Sequence, residues 1–137
     1  MTASMRPFPA LPHRAPFLML DRVIEVGRDR GLFVKMVTAS DPCLAADGTM
    51  PAVFVLEAMA QAGGAVLGAA GEIQRTPGPL AKVDGFCLHE AVRMGDELRV
   101  EARLVRHTRG VSIFETRATV DGRLCAEARV SLAVPPI

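Results

Sequence analysis

The sequence predicts an α+β fold in which one antiparallel sheet wraps around a single long central helix. Three observations carry that expectation. The run from Ala52 to Ala70 is almost wholly apolar, and its only polar side chains are Glu57 and Gln61. The C-terminal half alternates apolar and polar residues with the two-residue period of half-buried strands. Arg109-Gly110 and Asp121-Gly122 punctuate those strands as hairpin turns. A helix too apolar for a surface, beside a sheet with one dry face, is buried most simply by curling the sheet around it.

The elements follow in order. Phe17 to Val26 reads as a strand, Gly27 to Gly31 as a hairpin, and Leu32 to Thr38 as the returning strand. Ala39 to Thr49 is an irregular loop, and Pro51 suits the first turn of the helix that follows. That helix is long enough to span a bilayer. Glu57 would then lie in hydrocarbon with no basic flank, and the rest of the chain reads as strands, so a buried soluble helix and no membrane span are expected. Arg75 to Pro79 is a breaker-rich loop. Four strands come after it. Leu98, Val100, Ala102 and Leu104 alternate with Glu97, Arg99, Glu101 and Arg103. Leu124, Ala126, Ala128, Val130, Leu132 and Val134 alternate with mostly polar partners. The open edges of so small a sheet favour pairing with a second copy.

Composition narrows the function. Residues 1–137 form one domain, and 50% of them are hydrophobic, so the chain is not disordered. A net charge of +1 with no Trp or Tyr gives no nucleic-acid signature. Met1 to Ala10 lacks the apolar core of a secretion signal, so a cytoplasmic protein is expected. Cys43, Cys87 and Cys125 are odd in number and far apart, and match neither a zinc site nor a disulfide framework. The three histidines are scattered as well. Neither a metal nor a cofactor is expected.

Two motifs are familiar. Leu11-Pro12-His13-Arg14-Ala15-Pro16-Phe17-Leu18-Met19-Leu20-Asp21-Arg22 resembles the opening motif of the 3-hydroxyacyl-[acyl carrier protein] dehydratases. Leu56-Glu57-Ala58-Met59-Ala60-Gln61-Ala62 resembles the central-helix motif of the same family. Val83-Asp84, Gly95-Asp96, Arg109-Gly110 and Val120-Asp121-Gly122 agree at similar relative positions, so the resemblance covers nearly the whole chain. It implies a hotdog fold, a homodimer or a trimer of dimers, and a substrate acyl chain carried on phosphopantetheine, as acyl carrier protein or coenzyme A thioester. It implies that Glu57 is the catalytic acid, and that backbone around Ala52 and Val53 binds the thioester oxygen. Dehydration needs a base, an acid and donors on that oxygen.

The family's base is a histidine in a Gly-His-Phe-Pro stretch, contributed across the dimer interface. Here the chain reads Asp41-Pro42-Cys43-Leu44-Ala45-Ala46-Asp47-Gly48-Thr49-Met50-Pro51, without a histidine. The loop is roughly three residues shorter than the family pattern. Asp47 takes the histidine's place counting forward from Pro42, and Cys43 takes it counting back from Glu57. The helix-opening Pro-Gly of the family is Pro51-Ala52. A divergent dehydratase-like branch associated with polyene-type pathways is similar in that Pro-Ala.

Each candidate has a plain structural alternative. Glu57 could merely bond backbone, but apolar surroundings raise a carboxyl pKa and ready it as an acid. Asp47 stands in ordinary Asp-Gly turn chemistry, yet could replace the base. His13 could do so too, or could be structural in the opening motif. Gln61 is expected to bond backbone or Glu57, beside a substrate site formed by Ala52, Val53 and Phe54. An apolar tunnel walled by Phe54, Met59 and Val66 should end at Glu57. Three functions remain open: a dehydratase with a rearranged base, a hotdog thioesterase using the helix carboxylate, and a non-catalytic acyl-binding subunit that partners an active homologue.

Overall fold

The computed structural model describes Leu11 and residues 17–69, 80–108 and 110–133. Their order is β1 (Arg22–Val26), β2 (Arg30–Met36), β3 (Thr49–Met50), α1 (Ala52–Ala69), β4 (Leu80–Leu88), β5 (Val92–Arg93), β6 (Glu97–Thr108), β7 (Val111–Val120) and β8 (Arg123–Ala133). Six strands form one antiparallel sheet in the order β1-β2-β6-β7-β8-β4. Helix α1 packs across its inner face against β2, β6, β7 and β8.

The alternation in the sequence is the cause of that packing. Leu98, Val100 and Ala102 of β6 face inward with Phe114 and Ala118 of β7 and Ala126, Val130 and Leu132 of β8, and all are buried. Their odd or even neighbours carry the charges outward. Val55, Met59, Ala62 and Val66 of α1 complete the core with no exposed surface. The approach is close because Gly63 has no side chain. A Cβ there would lie 3.1 Å from the Phe114 ring and 3.2 Å from Leu132 Cδ1. By length and composition α1 could cross a membrane, but 61% of that stretch is buried inside the fold, so it is a core helix.

The helix and the long strands stand close to where they are expected, and two differences bear on the site. The first strand begins at Arg22 rather than Phe17, because the backbone of Phe17 and Met19 bonds the Gln61 side chain instead of a strand. The loop before α1 ends in a two-residue strand, β3, paired with β5 through Thr49↔Arg93 and Met50↔Val92. So short a ladder leaves no periodic signal. The expected end of α1 at Ala70 and the turn residue Arg109 lie outside the described residues.

The sheet ends at β1 on one side and β4 on the other. Strand β4 presents Leu80 and Leu88 to solvent, each more than a third exposed. Its outer main-chain groups have no neighbouring strand among the described residues.

Candidate functional site

Helix α1 is enclosed over most of its length but emerges at its N-terminal end. Ala52, Phe54, Leu56 and Glu57 are half-buried and Val53 is 63% exposed, whereas every residue from Ala58 to Leu67 is buried. The amides of Phe54 and Val55 both donate to Pro51 O, at 2.9 and 3.3 Å. Amides of a first helical turn have no partner one turn back within the helix. No acidic side chain stands in that turn to compete for them.

Glu57 is fixed by Gln61, one turn further on. Gln61 is only 2% exposed, so its amide must find partners inside the protein. Its Oε1 accepts from Met19 N at 2.8 Å, and its Nε2 donates to Phe17 O and to Glu57 Oε2, both at 2.9 Å. Both amide protons are thus engaged. The end of the opening motif is tied to the helix through the same side chain that orients the carboxylate.

The loop from Ala39 to Thr49 is organised differently. Lys35, on the inward-facing register of β2, is almost buried and donates to Asp41 Oδ1 at 2.7 Å. Asp41 Oδ2 accepts from Thr38 N at 2.8 Å. Sequence reasoning missed this anchor, although a lysine two residues after Phe33 on a strand shares its inward face. Cys43 is partly buried and packs against the core. Burial, and then the charge of Asp41, push its thiol up from the ordinary value. Asp47 is exposed, and its Oδ1 accepts from Thr49 N at 3.0 Å and Thr49 Oγ1 at 2.6 Å. Those bonds, the side-chain one first, hold its carboxyl below the usual range. Gly48 follows with φ +85°, a left-handed turn that glycine enters without strain.

The sequence candidates therefore separate. Glu57 and Gln61 are in direct contact, next to the helix-opening residues Ala52, Val53 and Phe54. The hydrogen bonds of Asp47 among the described residues go to its own turn. His13 lies outside the described residues. Of the expected tunnel wall, Phe54 is half-buried, but Met59 and Val66 have no exposed surface and line no space that water can enter. Among the described residues no His, Cys, Asp and Glu cluster could hold a metal ion.

The family model described as ApeP dehydratase, of the ApeP-like proteins, matches residues 5–136. The chain belongs to the ApeP-like dehydratase family. Curated relatives agree. The 3-hydroxyacyl-[acyl-carrier-protein] dehydratase FabZ of Albidiferax ferrireducens is 39% identical, over 93% of this chain and 90% of that protein. The FabZ of Thermomicrobium roseum is 35% identical, over 90% of this chain and 87% of its own. Among solved structures, a chain of the dehydratase heterocomplex ApeI:P from Xenorhabdus doucetiae superposes with a TM-score of 0.84 at 26% identity, covering 92% of this chain and 88% of that one. A hypothetical thioesterase from Streptococcus pneumoniae, solved with coenzyme A, superposes at 0.72 with 16% identity, which bears on the fold alone. The fold of this ApeP-like protein is thus the hotdog fold, and its function is dehydratase-like.

Proposed function

We propose that this protein works on 3-hydroxyacyl thioesters as a hydro-lyase, with Glu57 as the group that protonates the departing hydroxyl. The observation that carries this reading is the Glu57–Gln61 pair, in which a buried amide orients the one carboxylate of the helix motif. The thioester oxygen would sit at the first turn of α1, against the amides of Ala52 and Val53, where hydrogen-bond donors and the helix dipole favour developing negative charge. Phe54 would lie beside the acyl chain. Gln61 acts as a positioning residue, since its two donors are already engaged. The carrier would be acyl carrier protein or coenzyme A, the compartment the cytoplasm, and the unit a homodimer paired through the open edge of β4.

The base is the weak point of a one-chain mechanism. Asp47 accepts two hydrogen bonds from Thr49 on Oδ1, and a carboxylate so stabilised is a poor proton acceptor. Cys43 is disfavoured as a thiolate by its burial. A second reading follows: the chain pairs with a histidine-bearing homologue that brings the base to the shared interface. The Xenorhabdus doucetiae relative, a dehydratase heterocomplex rather than a single-component enzyme, supports it.

One experiment separates the possibilities. Purified protein, alone and mixed with a histidine-bearing dehydratase, is given a 3-hydroxyacyl, a trans-2-enoyl and a saturated acyl thioester, each on coenzyme A and on carrier protein. A lyase interconverts the first two without releasing thiol, because only a carbon–oxygen bond breaks. A thioesterase releases thiol from all three. A subunit reading predicts turnover only in the mixture, while an acyl ligand still raises the melting temperature of the chain alone. Thiol release from the saturated thioester without interconversion would overturn the lyase reading.

A further inference from the structure

The outer face of the sheet carries a second constellation, on the side opposite α1. Cys87 of β4 and Glu127 of β8 are register partners. His89 follows Cys87 by two residues and shares its face. Cys87 Sγ lies 3.6 Å from His89 Nδ1, and His89 Nε2 lies 2.8 Å from Glu127 Oε2. The His89 backbone N–H donates to Cys125 O at 2.6 Å and seats the residue against β8. The Glu127 carboxylate accepts the Nε2 proton, which leaves Nδ1 as the acceptor facing the thiol. Nucleophile, base and orienting carboxylate thus stand in the order that activates a thiol. All three side chains are exposed.

Their surroundings add a second feature. Glu127 also lines an open groove of about 430 Å³ on this face. Two arginines of the groove, Arg103 and Arg129, are paired with Glu115. Arg117, the register partner of Glu127 on β7, makes no ion pair among the described residues. It is a cation in line with Cys87, two strands away across Glu127.

We propose that Cys87 is a thiol–disulfide exchange site for small carboxylate-bearing disulfides, with His89 as base, Glu127 orienting it and Arg117 receiving the carboxylate. The step balances without a further reactant. His89 Nδ1 takes the thiol proton, and the Cys87 sulfur attacks one sulfur of the disulfide. A bond from Cys87 to that sulfur forms as the old sulfur–sulfur bond breaks. The departing thiolate recovers the proton from His89 and leaves as a thiol. Unlike acyl transfer, this exchange develops no charge on a carbonyl oxygen, so it needs no oxyanion pocket, and an open strand face suffices. The homodimer proposed above would pair β4 edges through main-chain groups that lie in the plane of the sheet, not on this face. The other thiols are poor competitors: Cys125 is buried, and burial raises both it and Cys43.

The test is intact-mass kinetics on the full chain, with oxidised glutathione as the charged disulfide and 2-hydroxyethyl disulfide as the neutral one. The first adduct should form at Cys87 and be absent in Cys87→Ser. At neutral pH, His89→Gln should slow it by about tenfold or more, with partial recovery on adding free imidazole. Glu127→Gln should slow it less. Arg117→Ala should slow oxidised glutathione alone. Melting temperatures of the variants should match the wild type, since these side chains are exposed. A first adduct on Cys43 or Cys125, or wild-type rates in His89→Gln, would overturn the site. Equal effects of Arg117→Ala on the two disulfides would overturn the carboxylate assignment. No arm reads dehydratase turnover, so the outcome is independent of the function proposed above.

Discussion

The two halves of the expected catalytic apparatus are held in opposite ways. Glu57 rests on a buried helix, and its partner Gln61 bonds backbone more than forty positions earlier in the chain. Asp47 rests on an exposed turn, and its bonds reach only two residues along the chain. A long-range, buried network fixes an orientation because no water competes for it. A local, exposed one fixes only the turn. The Glu57 carboxylate is therefore oriented by distant segments of the fold, and the Asp47 carboxylate by its own turn.

Substitutions can break that contrast. The largest effect should come at Glu57. Glu57→Gln keeps shape and removes the proton, so turnover in the thioester assay should fall by roughly 10²–10⁴, with an unchanged melting temperature. Wild-type turnover in that variant would remove Glu57 from the chemistry.

Gln61→Leu should come next. It strands the buried Met19 N–H as well as loosening Glu57. A buried unsatisfied group costs about 1–3 kcal/mol, so stability should drop by about that much. A denaturant titration with unchanged slope would show it. Gly63→Val probes the helix face that packs on β7 and β8. Its branched side chain meets Phe114 and Leu132 where even a Cβ is tight, and overpacking of this kind costs about 1–3 kcal/mol. A neutral result would mean that the helix can shift outward.

The smallest effect belongs to the loop. The Asp47 carboxyl is held low in the folded chain, so its ionised form favours folding above the unfolded-state value near pH ~4. That contribution is lost as pH falls through the lower folded value. Asp47→Asn should thus lower the melting temperature slightly at neutral pH, and the gap to wild type should close in acid. If Asp47 is nevertheless the base, the same variant will lose turnover as well, and the contrast with Glu57 will narrow.

Much of this molecule is legible in its sequence. The alternation of β6 and β8 and the apolar run of α1 are local patterns, and local patterns dictate which face is dry. The Glu57–Gln61 pairing is legible because a helix brings residues four apart together. The resemblance of the opening and helix motifs named the family. What the sequence left open was every contact made across the fold. That Gln61 reaches Phe17 and Met19, and that Lys35 turns inward to Asp41, depend on which segments the curled sheet brings together. Cys87, His89 and Glu127 make the same point. Thirty-eight positions separate His89 from Glu127, and only the pairing of β4 with β8 aligns them. Periodicity decides how each strand faces. Strand order and register, set by burial of the whole core, decide what each face meets.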